Sequence, residues 1–383
     1  MARAAKAGAA VVVVGGGVVG AAVAYALARR GIAALLLEAE AELALAASGT
    51  NSGILHTGFD SPPGDLETRL ILRSAQLRDA VPGELGVPVL RCGAVLRERA
   101  GGDDAATLAN LAACARANGV EVALRDDGSL HVPGEAVTDP VSYTLALAAA
   151  ATAAGAEVRT RARVEAIERA GQALVLHAGG DAFACDFAVN GAGLHADEVA
   201  RLVGDDSFEI YPRKGEFLVF DPAGERALTE IHLPVPTKRT KGVLVFPTID
   251  GKVVAGPTAH DQADKDDWTV CDEGRAEVLA KAVAMVPDLE GREPVAAYAG
   301  LRPAGRNANY VIEPSRACPR LINVAAIRST GLTASLGIAE HVVGLLAEQG
   351  LGLGPDRPLP PGAVSPLGTP WWRRTAEHRA SRA

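Results

Sequence analysis

Three glycines and one acid near the start of the chain have the types and spacing to hold a dinucleotide. Gly15, Gly17 and Gly20 form a Gly-x-Gly-x-x-Gly motif, and Glu38 follows eighteen positions after the last of them. In such a motif the first glycine permits a tight turn and the second lets a pyrophosphate approach the backbone. The third allows close packing of helix on strand. Unpaired N–H groups at the helix start then face the phosphate charge. An acid where Glu38 stands can accept from both ribose hydroxyls and disfavours a 2′-phosphate, which argues against NADP. The fingerprint alone does not separate NAD from FAD.

The flanking sequence supplies the elements this chemistry needs. Val11–Val14 is a β-branched run suited to a buried parallel strand. Helical spacing follows at Val18, Val19, Ala22, Val23, Ala26 and Leu27, closing at Arg29-Arg30-Gly31. Ile32 to Leu37 is a second apolar run, so strand, helix and strand make a βαβ unit. The stretch from Ala7 to Ala28 has no charge and is long enough to cross a bilayer. Its β-branched start and the run Gly15–Gly17 argue against both a membrane helix and a signal peptide. Further on, Asp139-Pro140 reads as an N-cap and first helical position for a helix over 137–149, with no ligand required.

Composition narrows the class. A chain of 383 residues with 48% hydrophobic residues can bury a large core, as two domains or one with a substantial insertion. Net charge is −8 with no basic run, which excludes a nucleic-acid binder. Five scattered cysteines (Cys92, Cys114, Cys185, Cys271 and Cys318) contain no CxxC. That pattern gives no disulfide framework, zinc or iron–sulfur site, and fits a reducing cytoplasm.

Small residues dominate Ala47-Ser48-Gly49-Thr50-Asn51-Ser52-Gly53-Ile54-Leu55-His56-Thr57-Gly58, so the backbone can lie close to a flat ligand. This block resembles the second block of the D-amino-acid-oxidase-like flavoenzyme superfamily, in particular its glycerol-3-phosphate oxidase/dehydrogenase and L-2-hydroxyglutarate oxidase branches. Three further stretches carry the resemblance. Val189-Asn190-Gly191-Ala192-Gly193-Leu194-His195-Ala196-Asp197 is similar to the family's second flavin-side turn. Lys241 to Thr248, continuing to Gly256-Pro257-Thr258, is similar to the glycerol-3-phosphate branch. Gly300-Leu301-Arg302-Pro303 and Ser329-Thr330-Gly331-Leu332-Thr333 are similar to the family's C-terminal blocks. The resemblance runs from about Val11 to about Leu346.

It implies an α/β fold, α+β overall, with a Rossmann-like FAD-binding domain interleaved with a mostly antiparallel β-sheet substrate domain. The expected division is 1–85, 138–205 and 304–350 for FAD, 86–137 and 206–303 for substrate, and 351–383 as an extended tail. The cofactor positions it implies are Gly15, Gly17, Val19, Gly20, Glu38, Thr50, Asn51, Ser52, Val164, Ala192, Gly193, Gly331, Leu332 and Thr333. A helix starting at Gly331 would aim its N–H groups at the flavin's N1–C2=O edge, although ordinary helix capping explains the same residues.

The expected reaction is oxidation of a secondary alcohol on a small anion, with hydride passing to flavin N5 and glycerol 3-phosphate as the leading substrate. His56 matches a histidine at the flavin face, and a neutral imidazole can take the alcohol proton near pH 7. Covalent attachment of FAD through His56 is the alternative to that base role. Arg302 matches an anion-binding arginine whose planar fork grips carboxylate or phosphate. Lys241 matches a phosphate-side lysine, or is a solvated loop charge. Ser52 and Ser329 can donate further bonds. Arg328 stands where the hydroxyglutarate-like branch tends to carry an acid, which favours a doubly charged substrate. The electron acceptor is left as oxygen, quinone or a carrier protein. No iron–sulfur module is expected in the chain. The basic tail with Trp371-Trp372 reads as extended and mobile, a segment for contact with another copy or a membrane surface. An amine or amino-acid oxidase, or a non-catalytic dinucleotide sensor, are the competing readings.

Overall fold

A computed structural model describes residues 6–98, 104–222, 228–236, 242–364 and 367–380. Two large sheets organise them. In the first, Leu321–Ala325, Asp181–Asn190, β1 (Lys6–Val14), β2 (Leu35–Leu37) and Glu157–Arg159 lie parallel in that order. The hairpin Val164–Ala170/Ala173–Ala178 extends it antiparallel along the first half of Asp181–Asn190.

The valine run earns its place by facing two cores at once. Val11 and Val13 pack into one hydrophobic cluster and Val12 and Val14 into another, as alternation along a strand requires. Both faces are covered, so the run reads as continuously apolar. The helix α1 (Val18–Arg29) is likewise buried nearly all round, from Val18 through Ala28. It packs against the helices Pro140–Ala153 and Gly331–Glu348. A helix enclosed by protein on every side has the hydropathy of a membrane span without being one. No helix among the described residues is long and apolar enough to cross a membrane.

Asp139 caps Pro140–Ala153, accepting from Val141 N at 2.8 Å and Ser142 N at 3.0 Å, as its sequence signal predicts. That helix begins three residues later than the expected 137. Val137 instead belongs to the strand Ala136–Thr138, which pairs with Ile54–Leu55.

The second sheet is built on the long antiparallel pair Ile210–Phe220 and Ala296–Gly305. It continues through Val253–Gly256, Leu244–Pro247, Ile231–Pro234, Ala94–Arg97, Leu130–Val132 and Ala123–Leu124. One pair, Ile231–Pro234 with Ala94–Arg97, is parallel, so the sheet is mostly rather than wholly antiparallel. Leu218 and Phe220 meet Val278 and Ala282 of the helix Asp272–Met285, while Phe217 and Val219 point into a separate core.

That separate core also corrects the expected tail. Trp371–Ala380 is a helix, and Trp371 and Trp372 are only 2% and 3% exposed. Trp371 meets Tyr298 edge-on at 5.8 Å, and Trp372 Nε1 donates to Asp250 at 3.0 Å. Burying two indoles against the second sheet outweighs the weak local helix signal of a charged segment. The indoles are therefore not on offer to a membrane surface or to another copy.

Candidate functional site

The parallel strands end at a common edge, and a cavity of about 960 Å³ opens there between the two sheets. Val14, Leu37, Gly191 and Val324–Ala326 line it from the strand ends. The crevice outside the carboxyl ends of parallel strands is where an α/β sheet holds ligands. Its volume is near the top of the ~300–1,000 Å³ usual for ligand sites.

The glycine turn is shaped for close approach. A Cβ on Gly20 would sit 1.9 Å from the Gly15 carbonyl oxygen, and one on Gly15 would sit 2.4 Å from that of Gly191. Gly20 thus serves helix packing and does not itself line the cavity, whereas Gly15, Gly17 and Val19 do. The N–H of Val18 is not left for phosphate: Ser48 Oγ accepts it at 2.9 Å from thirty residues away. Glu38 accepts from Gly16 N at 2.6 Å and Glu40 N at 2.7 Å, one bond per carboxylate oxygen. Each oxygen keeps a lone pair for a ribose hydroxyl. Burial pushes its pKa up against these two donors.

Across the cavity lie Thr50, Asn51, Ser52 and His56. The strand pairing Ile54↔Val137 and Leu55↔Ala136, continued by one residue, sets His56 opposite Glu135. The His56 Nδ1 and Glu135 Oε2 atoms are 2.8 Å apart. Glu135 is fully buried, and its other oxygen accepts from Thr57 N at 2.7 Å and Thr57 Oγ1 at 2.9 Å. Burial pushes its pKa up, but the His56 imidazole and the Thr57 donors outweigh that and hold the carboxyl below its ordinary value. A carboxylate on Nδ1 fixes the tautomer that leaves Nε2 as the proton acceptor. Glu135 was missed from sequence; a lone acid between Gly134 and the apolar Ala136-Val137 was the available signal.

Cations gather on the same wall. Arg302 Nε donates to Arg213 O at 3.1 Å, and Nη2 to Lys214 O at 3.1 Å and Thr258 O at 2.7 Å, with no acceptor for Nη1 among the described residues. Arg302 lies directly opposite Arg213 in the strand register, and both line the cavity with Arg328 and Ser329. Burial, then Arg213 and Arg328, push the Arg302 pKa down to about 10, so it stays charged near neutrality. Asp261 engages Arg213 at 2.6 Å; Arg328 has no acidic partner among the described residues. Arg213 was not foreseen, since only strand pairing brings it to Arg302. Lys241 lies outside the described residues.

Val164, Ala192, Gly193, Gly331 and Leu332 all line the cavity. Thr333 does not. Its hydroxyl accepts from His56 N at 3.1 Å and donates to Ile54 O at 3.3 Å, so it ties the helix Gly331–Glu348 to the histidine strand.

A family model described as FAD dependent oxidoreductase matches residues 10–345. The chain belongs to this family. It is 28% identical over 363 residues to a glycerol 3-phosphate oxidase of Mycoplasma pneumoniae, covering 88% of this chain and 94% of that one. It is 29% identical over 352 residues to a glycerol 3-phosphate dehydrogenase of Caloramator mitchellensis, covering 88% and 73% respectively. The solved structure of the FAD-bound, dithionite-reduced M. pneumoniae L-alpha-glycerophosphate oxidase superposes with a TM-score of 0.85 at 27% identity, covering 92% of this chain and 97% of that one.

FAD fits the residues present. Gly15, Gly17 and Val19 of the glycine turn line the cavity at the start of a helix, where backbone N–H groups suit a pyrophosphate, and Glu38 lines it beside them. This FAD-dependent oxidoreductase therefore sets its glycine turn on the first sheet, Arg302 and Arg213 on the second, and Arg328 on the segment that follows Leu321–Ala325 of the first.

Proposed function

We propose that this oxidoreductase oxidises the secondary alcohol of a small anionic substrate, glycerol 3-phosphate in first place, to the ketone dihydroxyacetone phosphate. The observation that carries the reading is the His56–Glu135 pair on the cavity wall. Alcohol oxidation must remove a hydroxyl proton as the carbon gives up hydride, and an imidazole with Nδ1 held by a carboxylate presents Nε2 for that proton. FAD, when bound, supplies the two-electron acceptor for the hydride. Arg302, with Arg328 and Arg213, grips the anionic end of the substrate and sets its carbinol before His56. Ser52 and Ser329, also on the wall, add neutral donors.

The names of the relatives support the substrate choice. So does a cation cluster in which Arg302 and Arg213 stand opposite each other on adjacent strands beside Arg328, with Asp261 on Arg213 alone among the described residues. The same cations suit a dicarboxylate, and an L-2-hydroxyglutarate dehydrogenase of Escherichia coli strain K12 is 26% identical over 267 residues. L-2-hydroxyglutarate is therefore the second reading. FAD is taken as non-covalent, with His56 as base. Oxygen, a quinone or a carrier protein would take the electrons onward, and the five free thiols suit a cytoplasmic setting.

The test is anaerobic bleaching of the flavin by glycerol 3-phosphate, L-2-hydroxyglutarate and small amino acids in turn. Bleaching by glycerol 3-phosphate is expected, slowed ~10²–10⁴-fold in His56→Ala with FAD retained. Bleaching by amino acids alone would overturn the reading.

A further inference from the structure

The expected cofactor residues belong to the two glycine-bearing turns, the Ser48–Gly58 block and the Gly331 helix, with Glu38 and Val164 beside them. The cavity has another wall that none of these motifs supplies. Trp268 and Arg379 line it, and the Arg379 guanidinium lies 4.5 Å from the Trp268 ring centroid. Trp268 comes from the loop after Ile210–Phe220's edge partner His260–Asp261, and Arg379 from the C-terminal helix Trp371–Ala380.

Their position along the cofactor site follows from two links. Arg379 Nη1 is 3.4 Å from Glu40 Oε1, and Glu40 N donates to Glu38 at 2.7 Å. Glu38 marks the ribose end. The same helix grips the segment that follows β2 along its length. Arg374 donates to Glu42 at 2.6 Å and Leu43 O at 3.1 Å, and Arg379 donates to Leu45 O at 3.1 Å. That segment in turn supports the glycine turn, through Ala44 N on Gly16 O at 3.1 Å and Ser48 Oγ on Val18 N at 2.9 Å. On the loop side, Lys265 crosses to Asp197 at 2.9 Å and Glu198 at 2.8 Å, beside the second flavin-side turn.

Two side chains of this wall face the ligand space. The Trp268 indole N–H is buried without any hydrogen-bond partner among the described residues. That N–H is closed off from the cavity as well, so what the wall presents to a ligand is the indole ring and the guanidinium stacked on it. The AMP half of a dinucleotide offers a flat purine ring that can pack against such a surface. Its phosphate carries negative charge, which suits Arg379, while Lys265, held by Asp197 and Glu198, fixes the loop in place.

We propose that the C-terminal helix and the Lys265–Trp268 loop form a clasp over the adenosine half of FAD, so that cofactor retention depends on residues outside the dinucleotide fold. Trp371 and Trp372 anchor the clasp in the core of the second sheet, and Arg379 and Trp268 are its cofactor-facing members. The clasp is independent of which alcohol the enzyme oxidises.

The test measures FAD release from the purified holoenzyme on dilution, followed by flavin fluorescence, in Arg379→Ala, Trp268→Ala and a chain ending at Gly368. Release at least tenfold faster than wild type is expected in each. Arg373→Ala, on the exposed side of the helix, should release FAD at the wild-type rate. The gain in thermal midpoint on adding FAD to apoprotein separates a clasp from a merely structural helix. A clasp variant loses part of that gain, whereas a structural defect lowers the apoprotein midpoint and leaves the gain intact. If the truncated chain does not fold, the two point variants decide. Wild-type release rates and an undiminished FAD gain in Arg379→Ala and Trp268→Ala would overturn the proposal. A wild-type protein that held no FAD would instead overturn the cofactor assignment itself.

Discussion

The His56 imidazole and the Glu135 carboxylate meet at 2.8 Å across 79 residues of sequence, with the acid fully buried and the ring on the cavity wall. Glu135 touches no expected substrate position, so it acts through His56 as a positioning residue. Glu135→Gln would put an amide N–H₂ where Nδ1–H or the Thr57 donors need an acceptor. Flavin reduction should fall by ~10²–10⁴-fold, the share usual for a general base, while FAD stays bound. Stopped-flow reduction at saturating substrate reads this; a wild-type rate would remove Glu135 from the mechanism.

The same residue ties stability to pH. Its folded-state pKa is held below the ordinary 4.5, chiefly by His56 and Thr57 acting against burial. A depressed carboxyl contributes stability that is present above the unfolded value and lost as pH falls through the folded one. Wild type should therefore be more stable than Glu135→Gln near pH 7, with the gap narrowing as pH drops below 4.5. Thermal midpoints across that range check the trend, and a constant gap would contradict it.

In the proposed reaction the anion is captured by Arg302 and by Arg328, which has no acidic partner among the described residues. Charge-assisted hydrogen bonds contribute about 1.5–3 kcal/mol, so Arg302→Leu should raise KM by ~10–100-fold with a smaller change in kcat. Arg328→Leu should raise it less, because that side chain is exposed. Steady-state kinetics with glycerol 3-phosphate distinguishes the two, and an unchanged KM in Arg302→Leu would exclude it as the anchor.

Gly20→Ala places a methyl 1.9 Å from the Gly15 carbonyl oxygen, backbone that has no room to yield. The turn must shift, at a cost of about 1–3 kcal/mol. Purified variant protein should carry substoichiometric FAD, read from the ratio of flavin to protein absorbance. Full occupancy would mean that the turn tolerates the methyl.

Asp139→Ala offers a contrast. It removes the cap of Pro140–Ala153 and should cost about 0.5–2 kcal/mol of stability without altering KM or kcat. An effect on turnover would place this cap closer to the chemistry than its contacts do.

The amino-acid sequence by itself determined the parts whose signals are local. Val11–Val14, the glycine spacing and Glu38 specify a strand, a turn and a helix start within a few dozen residues, because periodicity and backbone sterics act over that range. Asp139-Pro140 specified a cap for the same reason. Small residues around His56 marked a ligand wall, though not what orients the ring.

Tertiary structure alone decided the rest. Glu135 reaches His56 through the register of two short strands, and Arg213 reaches Arg302 through the register of two long ones. Neither register is written in either strand taken singly. Thr333 turned from a cofactor contact into a strut once Ile54 and His56 stood beside it. The last helix is the clearest case: a charged, tryptophan-bearing segment has weak helical preference in isolation. It folds because the second sheet offers its indoles a dry core, and that partner is far away in sequence.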